Sequence, residues 1–155
     1  MRSVAAKRNI WIEAGIAVLL IVLTVAAFVR SELKPLNVNE LKINTSDMRS
    51  FAASGAQLAD QFSRGNLTDT FFLTQSALLQ DKVKSTRKSL DSSEAEPDVQ
   101  SELGHSRRLA ASLETAYGGL TDQSQDVGKT KEEMANLVGR LKQLEDGLKE
   151  KAEKK

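Results

Sequence analysis

Ser92-Ser93-Glu94-Ala95-Glu96-Pro97 (SSEAEP) is the stretch on which the fold turns. Two serines, an X-Pro step and no large apolar residue mark a loop. Ser93 and Glu96 have the spacing of a capping box, and Pro97 suits the first position of a following helix. On both sides apolar residues recur at helical spacing.

Toward the N-terminus the loop is preceded by a run carrying Leu67, Phe71, Phe72, Leu78, Leu79, Val83 and Leu90. Before that comes a run with Leu41, Met48, Phe51, Leu58 and Phe62. Arg64-Gly65-Asn66 separates the two as a helix end, with Gly65 free to take a positive φ. Asn66 or Thr68 then starts the next helix. Toward the C-terminus a third run carries Val99, Leu103, Leu109, Leu113 and Tyr117, and Gly118-Gly119 is expected to interrupt it. The last run carries Val127, Met134, Leu137, Leu141, Leu144 and Leu148, and from Met134 onward its 3-4 spacing is a short heptad pattern.

The two halves mirror each other about the loop. Leu90 matches Val99, Leu79 matches Ala110, Phe72 matches Tyr117 and Phe62 matches Val127. Further out, Phe51 matches Val138, Met48 matches Leu141, Leu41 matches Leu148, and Gly55 faces Met134. The pattern predicts an all-α extramembrane domain built as an antiparallel helical hairpin. Each arm of about 55 residues would run roughly 80 Å if straight. The alternative folds the chain back at the breaks near Gly65 and Gly118 into a compact four-helix bundle. The extended hairpin is the preferred expectation, because the breaks are short.

Ahead of this domain, Ala14 to Val29 (AGIAVLLIVLTVAAFV) carries no charge, and Ile10, Trp11 and Ile12 extend the apolar stretch around Glu13. About 20 apolar residues suffice to cross a bilayer core. Residues 10–34 are therefore expected to form a single transmembrane helix, with Ala14, Leu19, Leu20, Ile21 and Val29 in the span and Trp11 at the interface. Arg2, Lys7 and Arg8 make residues 1–9 a short basic N-terminus, expected in the cytoplasm by the positive-inside rule. Residues 35–155 are then periplasmic or extracellular, attached to a bacterial plasma membrane. A cleaved signal peptide ending near Val25-Ala26-Ala27 is the rival reading. A pilin-type anchor is rejected, because Arg8 stands where a small residue is needed before Glu13.

The composition excludes several chemistries. The chain has 155 residues and no cysteine, so disulfides, thiolate metal sites and cysteine nucleophiles are out. Its 22 Lys+Arg against 21 Asp+Glu give no sign of a nucleic-acid partner. His105 is the only histidine and reads as a surface residue. No Glu-x-x-His pair, Gly-x-Ser-x-Gly elbow, dinucleotide fingerprint or Walker pattern occurs. No cofactor, metal or small-molecule substrate is expected.

Other features carry weaker signals. Phe71-Phe72 reads as core, with partner docking as the alternative. Asn44-Thr45-Ser46 and Asn66-Leu67-Thr68 match the glycosylation triplet, which matters only in a eukaryotic source. The lysine-rich tail from Lys149 is a solvated helix end, or a contact for lipid headgroups if the hairpin returns it to the membrane.

The functional expectation is a non-catalytic, single-pass scaffold or accessory subunit of a membrane or envelope complex. Its partners would be the lipid bilayer and a protein, or a second copy of itself, engaged through the helical domain. A long two-helix arm has little interior and needs a neighbour to cover its apolar stripe. The alternatives are an extracytoplasmic ligand-sensing bundle, for which Arg107 and Arg108 are candidate contacts, and a spanin-like lysis protein. The layout is similar to that of several unrelated anchored helical proteins, and the likeness is one of plan alone.

Overall fold

The structure is a computed structural model, and it describes residues 35–122 and 126–154. The basic N-terminus and the expected span, with Trp11, Ala14, Leu19, Leu20, Ile21 and Val29, lie outside the described residues, as does the rival cleavage site. Among the described residues no helix is long and apolar enough to cross a membrane.

Four α-helices make up the described chain: α1 (Val38–Ser63), α2 (Asp69–Ser92), α3 (Gln100–Thr121) and α4 (Val127–Glu153). A 3-10 turn, Pro97–Val99, leads into α3. Local chemistry sets most of these boundaries. Asn37 Oδ1 accepts from the Glu40 amide at 3.0 Å, and Glu40 Oε2 accepts from the Asn37 amide at 3.0 Å, a reciprocal capping box at the start of α1. At its end Gly65 takes φ +73. Its amide donates to the Phe62 carbonyl at 2.9 Å, and that of Asn66 to Gln61 at 3.0 Å, a Schellman closure that a side chain at position 65 would strain. Thr68 caps α2 through the Phe71 amide at 3.3 Å. Asp126 caps α4 through the Gly128 amide at 2.8 Å.

Two local expectations are corrected. Ser93 and Glu96 form no capping box: Ser93 Oγ turns back to donate to the Ser89 carbonyl at 2.7 Å, one of the open carbonyls at the end of α2. Pro97 does hold the first position of the 3-10 turn. Gly118-Gly119 does not break the third run either, since α3 continues through to Thr121. Ala116, Tyr117, Gly119 and Leu120 are buried there. Packing of that face outweighs the roughly 1 kcal/mol that each glycine costs a helix.

The extended hairpin is also corrected. The Leu36 amide donates to the Glu94 carbonyl at 2.7 Å, and the Glu96 amide donates to the Leu36 carbonyl at 3.0 Å. The loop that the hairpin would have placed farthest from Pro35 thus lies against it, and the helices form an up-down-up-down bundle. The chain reverses after α1 and again between Thr121 and Val127, so that it buries its own apolar stripes.

Helices α1 and α4 run antiparallel in the expected register. Leu41, Met48, Leu141 and Leu148 are wholly buried, and Phe51 and Val138 pack on the core margin. Arg49 Nε lies 3.2 Å from Glu145, and Lys131 Nζ donates to Asp60 at 2.6 Å, fixing the same register on the flank. Between α2 and α3 the register differs from the mirror. Arg87 pairs with Glu114 at 2.8 Å, and Gly118 lies beside Gln80, so Leu79 sits nearer the level of Gly118 than of Ala110. Leu90 offers its carbonyl to Arg107 Nε at 3.0 Å. Phe72 stacks on Phe62, with ring centres 4.1 Å apart and planes 13° from parallel, while Tyr117 reaches across to α1. The extra 3-10 turn between α2 and α3 shifts α3 away from the simple mirror.

At Gly55 the packing is closest. A Cβ there would lie 2.8 Å from Tyr117 Oη and closer still to the Met134 sulfur. Forcing these side chains aside costs about 1–3 kcal/mol. That exceeds the roughly 1 kcal/mol by which alanine favours a helix over glycine. Gly55→Ala should therefore lower the thermal midpoint by several degrees, whereas Gly139→Ala, whose Cβ meets nothing within 4 Å, should raise it. Thermal unfolding followed by circular dichroism separates the two.

Candidate functional site

The pairing residues singled out by the sequence lie in or against one core. Leu41, Met48, Phe72, Leu90, Val99, Tyr117, Leu141 and Leu148 are buried within it, and Phe51, Phe62, Leu79, Val127 and Val138 pack on its margin. Polar groups enter this core at few points. Thr45 Oγ1 donates to the Leu41 carbonyl at 2.8 Å and lies 3.4 Å from Ser106 Oγ. Ser76 Oγ is buried without a hydrogen-bond partner. Tyr117 Oη donates to the Phe51 carbonyl at 2.7 Å.

Of the groups considered for chemistry, Arg107 is engaged structurally. Arg107 donates from Nε to the Leu90 carbonyl at 3.0 Å and from Nη2 to that of Ser93 at 2.7 Å. It thereby closes the C-terminus of α2, where a cation also meets the negative end of the helix dipole. Arg108 is exposed. His105 is half-buried, beside the ion pair of Glu102 with Lys151. In the tail, Lys151 is held by Glu102 and Lys154 by Glu150. Asp60 is held below the usual carboxylate range, first by the hydrogen bond from Lys131 and further by Arg64 nearby. Among the described residues no group of three or more His, Asp or Glu side chains is placed to hold a metal ion.

Three of the surface concavities among the described residues bear on function. A trough of about 590 Å³ between α3 and α4 is open and polar, edged by Glu132, Glu133, Asn136 and Arg140. A small cavity of about 230 Å³ opens at the end of the bundle away from Pro35, against Phe62 and Phe72. The third is a groove of about 350 Å³ between α1 and α2, and its chemistry differs from the rest of the surface. Ser54, Gln57, Leu58 and Gln61 line it from α1, and Leu67, Phe71, Gln75 and Leu79 from α2. None of the eight is charged, on a chain in which 28% of residues are.

Phe71 is 50% exposed on this groove, and Leu78, seven residues or about two turns further along α2, is 52% exposed. The sequence reading took Phe71 as core with partner docking as the alternative, and counted Leu78 only in the apolar run of that helix. The doublet Phe71-Phe72 divides instead: Phe72 is 2% exposed and stacks inside. Adjacent helical residues point about 100° apart, so only one of the pair can face the core. Ile43, 59% exposed, was not picked out by the sequence pattern. The α1–α2 groove with Phe71 and Leu78 is the candidate functional surface. No family model matches the chain, and neither a curated protein nor a solved structure was found to be similar to it.

Tyr117 is the chain's one tyrosine. Burial pushes its phenol well above the ordinary value, because the ionised form would lose its hydration inside the core. A value raised in the folded state means that the protonated form is the one folding favours. Its contribution is intact below about pH 10, the unfolded value, and is lost as the pH rises beyond it. Tyrosinate absorbance should therefore appear only together with loss of helical ellipticity above that pH. Tyr117→Phe should be less stable than the parent at neutral pH, by about 1 kcal/mol for the lost hydrogen bond, and the difference should shrink under alkaline conditions. Tyrosinate formed at about pH 10 with full ellipticity would contradict this account.

Proposed function

We propose that the chain is a single-pass, membrane-anchored, non-catalytic helical module, an accessory or scaffold subunit of a membrane or envelope complex. In this reading the apolar run from Ile10 to Val29 is the anchor, the N-terminus is cytoplasmic, and the bundle works on the far side of the membrane. The partner is a protein that offers an uncharged, apolar helical face.

The observation that carries the proposal is the uncharged α1–α2 groove with Phe71 exposed in its lining, and Leu78 exposed seven residues further along α2. The bundle covers its own stripes, so the need of a long arm for a neighbour no longer supports a partner. Among the described residues, Phe71 and Leu78 are two of the three large apolar side chains left exposed, with Ile43 on α1 as the third. Burying Phe71 removes apolar area from water with no charged group in the groove lining to desolvate, and Gln57, Gln61 and Gln75 can each both donate and accept hydrogen bonds at the margin. Aromatic anchors beside uncharged polar groups are typical of interface centres.

A photo-crosslinking residue placed at Phe71 or at Leu78 in the full chain, in its native membrane, tests the docking face. A discrete adduct is expected from both positions and not from exposed Lys142 on α4, and Gln75→Glu should weaken it severalfold. An adduct of twice the chain's mass identifies the partner as a second copy. Equal adducts from Phe71, Leu78 and Lys142, or none from the first two, would sink the proposal.

Topology is tested separately. Alkaline phosphatase fused after Lys155 should be active in a bacterial host, and intact mass should retain the residues before Val25. A silent phosphatase with an active cytoplasmic reporter reverses the orientation, and a mature chain starting near Phe28 replaces the anchor with a leader.

A further inference from the structure

We infer that the partner of the α1–α2 groove is a second copy of this chain, docked face to face and in parallel about a two-fold axis, with α1 of each copy against α2 of the other. The inference rests on the reading of that groove as a docking face and names its occupant. Residues 50–59 of α1 (SFAASGAQLA) and 70–80 of α2 (TFFLTQSALLQ) carry no charge, and the groove lies largely between them. By contrast, α4 presents Lys129, Glu132, Glu133, Arg140, Lys142 and Asp146 to solvent. Helical spacing extends the uncharged face in both directions. Ile43 stands eleven residues or about three turns before Ser54, and Leu78 seven residues after Phe71, so both exposed side chains project on the groove side. Asp47, seven residues before Ser54, and Lys82, eleven after Phe71, end the same two stripes.

A two-fold axis sets a strict condition on charge. It brings residue i against j and j against i, and groups near the axis against their own copies. A charge at the centre would meet its like, and the centre of this face has none. A different protein imposes no such condition, since it can offer the opposite charge to any it meets. Gln57, Gln61 and Gln75 each carry a donor and an acceptor, so one amide can pair with another. The levels along the helices match as well. The Leu36 amide meets the Glu94 carbonyl, and counting from that contact places residues of antiparallel α1 and α2 at one level to within about a turn. Across the axis Leu78 then faces Ser54, large against small, Gln75 faces Gln57, and Lys82 faces Asp47. Both of these charged residues are exposed, and neither has an ion pair among the described residues. The axis makes their pairing twice. An antiparallel dimer sets α1 against α1 and separates Asp47 from Lys82. In the anchored reading two copies in one membrane are already parallel, and that confinement lowers the cost of bringing them together.

The mass of the full chain in mild detergent, read by sedimentation equilibrium, tests this, with helical ellipticity as the check on folding. A dimer is expected. Phe71→Ser should weaken it by at least about tenfold, because the axis removes the anchor from both sides at once. Asp47→Lys and Lys82→Asp should each weaken it severalfold, and the two together in one chain should restore it, which a loss of fold could not mimic. Since the chain has no cysteine, a short bis-maleimide should join an Asp47→Cys copy to a Lys82→Cys copy more readily than it joins either to itself. A monomeric chain, a dimer that Phe71→Ser leaves unweakened, or reversals that fail to rescue each other would overturn the inference. A monomeric chain that still gives a discrete adduct of another mass from Phe71 in the membrane removes the second copy and leaves the docking face standing. No adduct from Phe71 or Leu78 removes both.

Discussion

The bundle depends on how closely α1 can approach its neighbours at Gly55. The absence of a side chain there lets Met134 of α4 settle against the α1 backbone and lets Tyr117 of α3 bring its hydroxyl over to the Phe51 carbonyl. Three helices meet at that point, and one of the contacts is a hydrogen bond with a defined direction. Apolar packing by itself tolerates sliding between heptad-like registers. A glycine notch that takes a methionine and a phenol admits one. The ion pairs on the flanks, Arg49 with Glu145 and Lys131 with Asp60, agree with the register the notch sets. They add little of their own, since exposed pairs are screened by solvent.

Much of this was legible in the sequence. The 3-4 spacing from Met134 to Leu148 gave α4 its buried face, and Gly65 behaves as the left-handed helix end its neighbours suggested. Gly55 opposite Met134 was visible as small against large. The Asn37-x-x-Glu40 spacing that caps α1 is equally present in the sequence. What the sequence obscured has physical reasons. Gly118-Gly119 looks like a break by propensity, yet Tyr117 and Leu120 bind that turn into the core, and tertiary packing outweighs propensity. Hairpin and bundle share the α1–α4 pairing, so the periodicity could not separate them. What separates them is two backbone hydrogen bonds on Leu36, which carry no side-chain signature.

The candidate surfaces were the least legible. Phe71 and Phe72 are identical neighbours, and only the rotation of α2 about its axis assigns one to the core and the other to solvent. Arg107 looked like a ligand contact from its type alone, yet it satisfies the last carbonyls of α2. A polar residue's role depends on which backbone groups the fold leaves open beside it.

The packing of α1 against α4 also shapes how the chain is made. The first and last helices of the bundle are mutual partners, so Leu41 and Met48 leave the ribosome well before Leu141 and Leu148 can meet them. At about 5–20 residues per second, roughly a hundred residues of synthesis separate the two, an interval of some five to twenty seconds. Throughout it the α1 stripe has no native cover, and α2 with α3 can form only an incomplete layer. The bundle therefore closes only once α4 has been made. A chain cut short before Val127 keeps its α1 apolar stripe open, which makes the last 27-residue helix the element that separates a finished molecule from an aggregation-prone one.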